Sequence, residues 1–131
     1  MKENAKPPAL RWPLVLLLSI LTLGLFEDAW LIWQSRWAKR VDPQSRATIF
    51  MVCGLLLFLV GGVLVELSDF KGLAGWVEFG GLVLSQVGNF SVKGTMEKHY
   101  NVALSGIMTI FFTSIYFQYR FDRLANKDYR N

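Results

Sequence analysis

Polar side chains mark one face of an otherwise apolar stretch, GWVEFGGLVLSQVGNFSV. Glu78, Ser85 and Asn89 stand at positions i, i+7 and i+11, which is the spacing of a single helical face. A carboxylate inside an apolar helix often belongs to an ion or proton pathway. Hydroxyls and amides in the same setting also join one helix to another, at about 0.6 kcal/mol each. The pattern fits a proton or cation relay or a structural contact between helices, and we favour the contact.

A second polar stripe follows at i, i+4, i+8 and i+11: Ser105, Thr109, Thr113 and Tyr116. If the two segments form antiparallel helices, Glu78 is predicted to lie near Tyr116 and Arg120, and Asn89 near Ser105. An arginine beside a carboxylate in a medium of low dielectric favours the ionised acid. These residues form the candidate polar track of the protein.

Two adjacent acids, Glu27 and Asp28, lie in GLFEDAWLIWQSRW, between an apolar run and three tryptophans. Neighbouring residues on a helix project about 100° apart, so one acid is predicted to face protein and the other the membrane boundary. Asp28 shares a face with Gly24, where a second backbone can approach closely, and is predicted to be the inward one. Alternatively, both acids contact lipid headgroups. Glu66 is a third candidate intramembrane acid, on the same side as Glu78.

The residue types that usually carry catalysis or bind metals are scarce. His99 is the single histidine and Cys53 the single cysteine. Neither has the spacing to other ligands that zinc, haem or iron–sulfur sites need, and no serine lies in a nucleophile motif. We therefore expect no catalytic residue, no metal and no cofactor, and interpret His99 as a polar loop residue and Cys53 as a small buried one.

Composition indicates a solvent other than water for much of the surface. The 131 residues are 53% hydrophobic and 15% aromatic, with a formal charge of +4. The basic residues gather in the N-terminal tail, in residues 36–46 and after Tyr119 rather than along a polar stripe, so a nucleic-acid partner is not expected. The bilayer itself is the predicted environment.

Four segments have the roughly 20 apolar residues that a helix needs to cross a bilayer. The predicted spans cover residues 12–33, 47–67, 73–92 and 102–119. The predicted fold is therefore all-α, an integral membrane four-helix bundle with short loops, forming a single domain over residues 1–131.

Loop charges give the predicted orientation. With four spans, the side that holds both termini carries eight Lys and Arg residues against six on the other side. The positive-inside rule then favours both termini in the cytoplasm. A bacterial plasma membrane or an organelle membrane is the expected location.

Three classes of function fit this pattern. The first is a non-enzymatic accessory or oligomer-forming subunit of a membrane assembly, with copies of itself or other membrane subunits as partners. The second is a small oligomeric channel or proton-coupled transporter that uses Glu78. A membrane enzyme that works with carboxylates alone is the third, and the sequence favours it least.

Overall fold

A computed structural model describes residues 10–22, 25–67 and 71–128 as five helices without a strand. They are α1 (Trp12–Leu21), α2 (Leu25–Val41), α3 (Ala47–Leu67), α4 (Lys71–Tyr100) and α5 (Gly106–Asp128). The predicted all-α class is confirmed. Within these ranges one helix, α3, is both long and apolar enough to cross a membrane, with a mean hydropathy of 2.7.

Helices α3 and α4 form the most extensive contact of the fold, and glycines make it possible. A Cβ on Gly54 would lie 2.7 Å from the Ser85 backbone nitrogen, and one on Gly61 would lie 2.7 Å from that of Glu78. Such distances mean that the two backbones are nearly in contact. Gly54 thus lies opposite Ser85 and Gly61 opposite Glu78, which fixes α3 and α4 as an antiparallel pair.

Helix α3 has the bounds predicted for the second span, whereas α4 is longer than the predicted 73–92 segment. Its last turn ends at Tyr100 because Asn101 adopts a left-handed φ of 50° and the Val102 N–H bonds back to the Glu97 carbonyl. Residues 68–70, between the second and third predicted spans, lie outside the described residues.

Glu97 secures the link that follows α4. Its carboxylate Oε1 accepts the Leu104 N–H at 2.8 Å and pairs with Lys93 Nζ at 3.0 Å. The backbone N–H, and then Lys93, hold the pKa of Glu97 below its usual value. This contribution to stability is present above the ordinary pKa of glutamate and is lost as the pH falls through the lowered one.

The predicted helix over 12–33 is instead two helices, α1 and α2. Thr22 ends α1, and its hydroxyl accepts the Phe26 N–H at 2.9 Å, so it caps the start of α2. Glu27 and Asp28 consequently occupy the first turn of α2. Carboxylates are stabilised there by the positive end of the helix dipole.

Helix α1 runs back along α2. The backbone N–H of Trp12 donates to Asp122 Oδ2 at 3.1 Å, and the Trp37 ring packs on Phe121 with ring centroids 4.7 Å apart. In one straight helix Trp12 and Trp37 would be about 37 Å apart along the axis. Both contact the same turn of α5, so α1 and α2 are antiparallel.

Helix α5 is also not straight. Thr113 has φ 1° and ψ −89°, which are not helical values. Beyond it the Tyr116 hydroxyl accepts the Ser105 N–H at 3.0 Å, and Arg120 donates to the Ala103 carbonyl at 3.1 Å. In a straight helix Arg120 would start about 21 Å beyond Gly106, too far for its side chain to return. The chain therefore doubles back at Thr113, and residues 102–119 do not form one span.

A buried apolar cluster joins α2, the start of α3, the end of α4 and the second half of α5. Its members are Trp37, Ala38, Val41, Ala47, Met51, Val92, Met96, Leu104, Phe117 and Phe121. Burying a large side chain of this kind contributes about 1.5–3 kcal/mol. The cluster holds the α1–α2 pair and α5 against one end of the α3–α4 hairpin.

Gly81→Ala is predicted to destabilise the fold by about 1–3 kcal/mol, because the added Cβ would lie 2.6 Å from the Phe58 backbone nitrogen and 2.7 Å from the Gly54 carbonyl. Gly80→Ala is the matched control, since no heavy atom lies within 4 Å of its Cβ. This change is expected to be neutral or to stabilise by up to about 1 kcal/mol. Denaturant unfolding in detergent measures both, and equal effects would contradict the close contact.

Candidate functional site

A buried polar seam lies between α2 and the second half of α5. It consists of Glu27, Trp30 and Gln34 from α2 and Ser114, Gln118 and Asp122 from α5. Gln34, Ser114 and Gln118 are fully buried. The spacing on α5 is i, i+4 and i+8, and Glu27 and Gln34 are seven residues apart on α2, so each helix presents one face to the seam.

Hydrogen bonds connect one end of the seam to the other. Asp122 Oδ1 accepts from Gln118 Nε2 at 3.4 Å, and Gln118 Oε1 accepts from Trp30 Nε1 at 3.3 Å and from Gln34 Nε2 at 3.5 Å. Gln34 Nε2 also donates to the Ser114 carbonyl at 3.2 Å. The Ser114 hydroxyl donates to Glu27 Oε1 at 3.1 Å. A carboxylate thus stands at each end, with two amides between.

The chemistry of the seam favours fixing positions over moving protons. Carboxylates exchange protons readily, but the two glutamine amides between them neither gain nor release a proton at physiological pH. A buried polar group without a partner costs about 1–3 kcal/mol, so these bonds hold α2 and α5 in one register. Gln34 Oε1 is buried and has no hydrogen-bond partner among the described residues.

The prediction that Asp28 is the acid facing the protein interior was wrong. Glu27 bonds to Ser114, whereas Asp28 is exposed. The reason is that α2 begins at Leu25 and turns the face of Glu27, not that of Asp28, towards α5. Glu66 is exposed at the end of α3.

The α4 part of the predicted polar track faces α3. The Glu78 side chain lies over two glycines of α3: its Cγ is 2.9 Å from the Cβ position of Gly61, and its Oε1 is 3.5 Å from that of Gly62. Ser85 packs against Gly54. Asn89 is buried; its Nδ2 donates to Gln86 Oε1 at 3.4 Å, and its Oδ1 has no partner among the described residues.

The α5 residues of the track form hydrogen bonds within α5 and to the link that precedes it. Thr109 and Thr113 donate their hydroxyls to the carbonyls four residues earlier, those of Ser105 and Thr109. Such back-bonding bends helices. Tyr116 and Arg120 bond to the 101–105 link, as described above.

The predicted pairing of Glu78 with Tyr116 and Arg120 was therefore wrong. No hydrogen bond or ion pair joins these groups in the described chain, where the one ion pair is Lys93–Glu97. Because α5 doubles back at Thr113, Tyr116 and Arg120 stay near Tyr100, and Glu78 lies about 33 Å farther along α4. The structure thus divides the predicted track into an α3–α4 part and an α5 part.

His99 and Cys53 have separate surroundings. His99 packs edge-on against Trp37 and Tyr100, with ring centroids 5.8 and 4.7 Å apart, so it is part of an aromatic cluster rather than a free loop residue. Cys53 is exposed on α3, where a buried position was predicted. The residues that the structure describes contain no group of three or more His, Cys, Asp or Glu side chains arranged to hold a metal ion.

The chain matches no family model, no curated protein and no solved structure.

Sequence reasoning missed five members of the seam: Trp30, Gln34, Ser114, Gln118 and Asp122. Their spacing was visible, since Ser114, Gln118 and Asp122 repeat every four residues. The pattern was not recognised because Gln118 and Asp122 fall at or beyond the end of the predicted 102–119 span, where polar residues are expected in any case. Only the double-back at Thr113 brings them beside α2.

Gln118→Leu is predicted to destabilise the protein by about 1–3 kcal/mol, because Trp30 Nε1 loses its acceptor and Gln34 Nε2 loses one of two. Gln44→Leu is the matched control; Gln44 is exposed in the link between α2 and α3, and its change should stay within about 0.5 kcal/mol. Unfolding monitored by tryptophan fluorescence compares the two. A Gln118 variant as stable as the control would show that the seam contributes nothing.

Proposed function

We propose that this protein is an integral membrane subunit whose function is assembly, as an oligomer-forming or accessory component of a larger membrane complex. The outer surface of α3 and α4 supports the membrane part. Large apolar side chains are exposed along both helices: Ile49, Val52, Leu56, Leu57, Phe58, Leu59, Val60, Val63, Leu64 and Leu67 on α3, and Leu73, Trp76, Phe79, Leu82, Val83, Val87 and Phe90 on α4. A continuous apolar surface of this size needs lipid or a partner to cover it.

Two crossings, rather than four, fit the lengths of the helices. Helix α3, with 21 residues, rises about 30 Å, which matches a bilayer core, and α4, with 30 residues, rises about 45 Å and extends beyond that core. Helix α1, with 10 residues, rises about 15 Å, and the seven residues from Gly106 to Phe112 rise about 10 Å. In the proposed topology the α1–α2 pair and α5 enter the membrane partway from one side and return.

The distribution of Lys and Arg supports one orientation of the hairpin in the membrane. The basic end of the hairpin is the end where α3 begins and α4 finishes. Described Lys and Arg side chains near it are Arg11, Arg36, Lys39, Arg40, Arg46, Lys93, Lys98, Arg120 and Arg123; among described side chains, Lys71 alone lies at the opposite end. Under the positive-inside rule the basic end faces the cytoplasm. A bacterial plasma membrane or an organelle membrane remains the proposed location.

One stripe on α4 carries the proposal of assembly. Phe79, Leu82, Val83, Gln86, Val87 and Phe90 line an open groove of about 510 Å³. Their spacing is the heptad pattern of a helix that packs against another helix. The stripe faces away from α3, and although its Phe90 end approaches Gly106 of α5, its apolar side chains remain exposed in the described chain.

Gln86 is the observation on which the assembly proposal depends. It is the one polar residue of the stripe, and its Oε1 accepts from Asn89 while its amide N–H groups have no acceptor among the described residues. In lipid those N–H groups would stay unsatisfied. A second copy related by a two-fold axis would bring another Gln86 opposite the first and satisfy both.

Gln86→Leu is predicted to weaken self-association about threefold to thirtyfold, from the loss of about 0.6–2 kcal/mol of interhelical hydrogen bonding. Gln44→Leu, the same change outside the stripe, should leave association unchanged. Energy transfer between labelled copies in micelles of fixed detergent concentration measures the equilibrium. A wild-type protein that stays monomeric, or a Gln86 variant that dimerises as well as the control, would overturn this proposal.

A channel or proton-coupled transporter is the second candidate, and Glu78 is the observation that favours it. The carboxylate lies about 10 Å inside the hairpin from the Lys71 end, beside Gly62, without an ionic partner among the described residues. A carboxylate inside a membrane helix is costly and commonly serves ion or proton movement.

Glu78→Gln is predicted, under this second candidate, to abolish proton-coupled flux in liposomes, since the amide cannot carry the proton. Glu66→Gln removes an exposed acid near the same end and should retain flux. Liposomes in which wild-type protein and both variants show no flux above empty vesicles would eliminate the transporter and leave the assembly function.

A further inference from the structure

We propose that the groove between the end of α2 and the start of α3 binds the phosphate of an anionic phospholipid headgroup. This inference rests on the membrane location proposed above and adds a ligand site at the basic end. The groove has a volume of about 490 Å³ and is lined by Trp33, Arg36, Lys39 and Arg40 of α2 and Thr48 of α3.

Three cations converge on this groove without a counterion. Arg36, Lys39 and Arg40 have the i, i+3, i+4 spacing of one helical face, and all three are exposed. None of them forms an ion pair or a hydrogen bond within the described chain, where Lys93–Glu97 is the one ion pair. Like charges on one face repel each other, so an anion bound between them relieves an unfavourable arrangement.

The helix dipole accounts for only part of this cluster. Lys39 and Arg40 lie in the last turn of α2, where cations interact favourably with the negative end of the helix. Arg36 lies one turn earlier, beyond the range of that effect. Its position beside Lys39 and Arg40 is explained by a shared anionic ligand.

Thr48 provides a hydrogen-bond donor on the opposite wall. Its Oγ1 is buried and has no hydrogen-bond partner among the described residues, although its residue lines the groove. Thr48 belongs to the first turn of α3, which contains no acidic residue and whose dipole is positive. A phosphate oxygen suits that helix end, and a rotation of the Thr48 side chain about χ1 would turn its buried hydroxyl towards such an acceptor.

The position of the groove favours a lipid over a free anion. Trp33 is 54% exposed at its rim, and Ile49, also 54% exposed, follows Thr48 on the apolar surface of α3. Tryptophan prefers the headgroup level of a bilayer. Basic residues therefore meet the start of the apolar surface at this groove, as a headgroup with attached acyl chains requires.

The test is native mass spectrometry of the full chain in detergent, with phosphatidylglycerol or phosphatidylcholine of the same acyl chains as probes. Wild-type protein should bind phosphatidylglycerol more tightly. The double variant Arg36→Gln/Arg40→Gln should lose about tenfold to thirtyfold in affinity for it, since each cation near an anionic surface contributes roughly a factor of five. Thr48→Val, of nearly equal size, should lose affinity by a smaller factor.

The matched control is Arg46→Gln/Lys98→Gln, which removes the same charge from two exposed residues near the same end but outside the groove. Its affinity should remain within about twofold of wild type, and circular dichroism should show equal helix content in all variants. Equal losses in both double variants, or equal binding of the two lipids, would overturn the proposal.

Two further experiments distinguish a wrong lipid assignment from a wrong membrane location. If inorganic phosphate at millimolar concentration displaces phosphatidylglycerol, the groove binds a free anion and the lipid assignment is wrong. If the chain stays in the supernatant after detergent-free lysis and ultracentrifugation, the membrane location itself is wrong. A protein that sediments with membranes yet shows no lipid preference contradicts the headgroup site alone.

Discussion

The close approach of α3 and α4 is the constraint on which the rest of this structure depends. Glycines remove the side chains that would separate the two backbones, with Gly54 beside Gly81 and Gly61 beside Glu78. Because the interface is filled by backbone, the large apolar side chains of both helices point outward. The same feature that makes the hairpin compact thus leaves a large apolar surface exposed on both helices.

The remaining helices are held at one end of that hairpin. The α1–α2 pair and the two halves of α5 each double back, and the apolar cluster around Trp37 and Phe121 joins them to the hairpin. The polar seam from Glu27 to Asp122 then fixes α2 against α5. This arrangement brings most of the basic residues to one end, which supports the proposed orientation and the headgroup site.

The length of the apolar run allowed both ends of α3 to be predicted correctly, because a continuous run of this length is compatible with only one helix. The same reasoning failed over 12–33, where a single Thr22 hydroxyl both ends one helix and caps the next. It failed again at Thr113, since a run of apolar residues does not reveal where a helix bends. The paired acids were recognised as unusual, but their explanation, the first turn of α2, depended on that unseen break.

The central claim is that α3 and α4 cross the bilayer with Arg46 and Lys71 on opposite sides. In a Cys53→Ser background, Arg46→Cys and Lys71→Cys can be labelled in intact cells with a membrane-impermeant maleimide. Both positions are exposed. The account predicts that Lys71→Cys is labelled from outside and Arg46→Cys only after permeabilisation. Labelling of both positions from the same side of intact cells would contradict it.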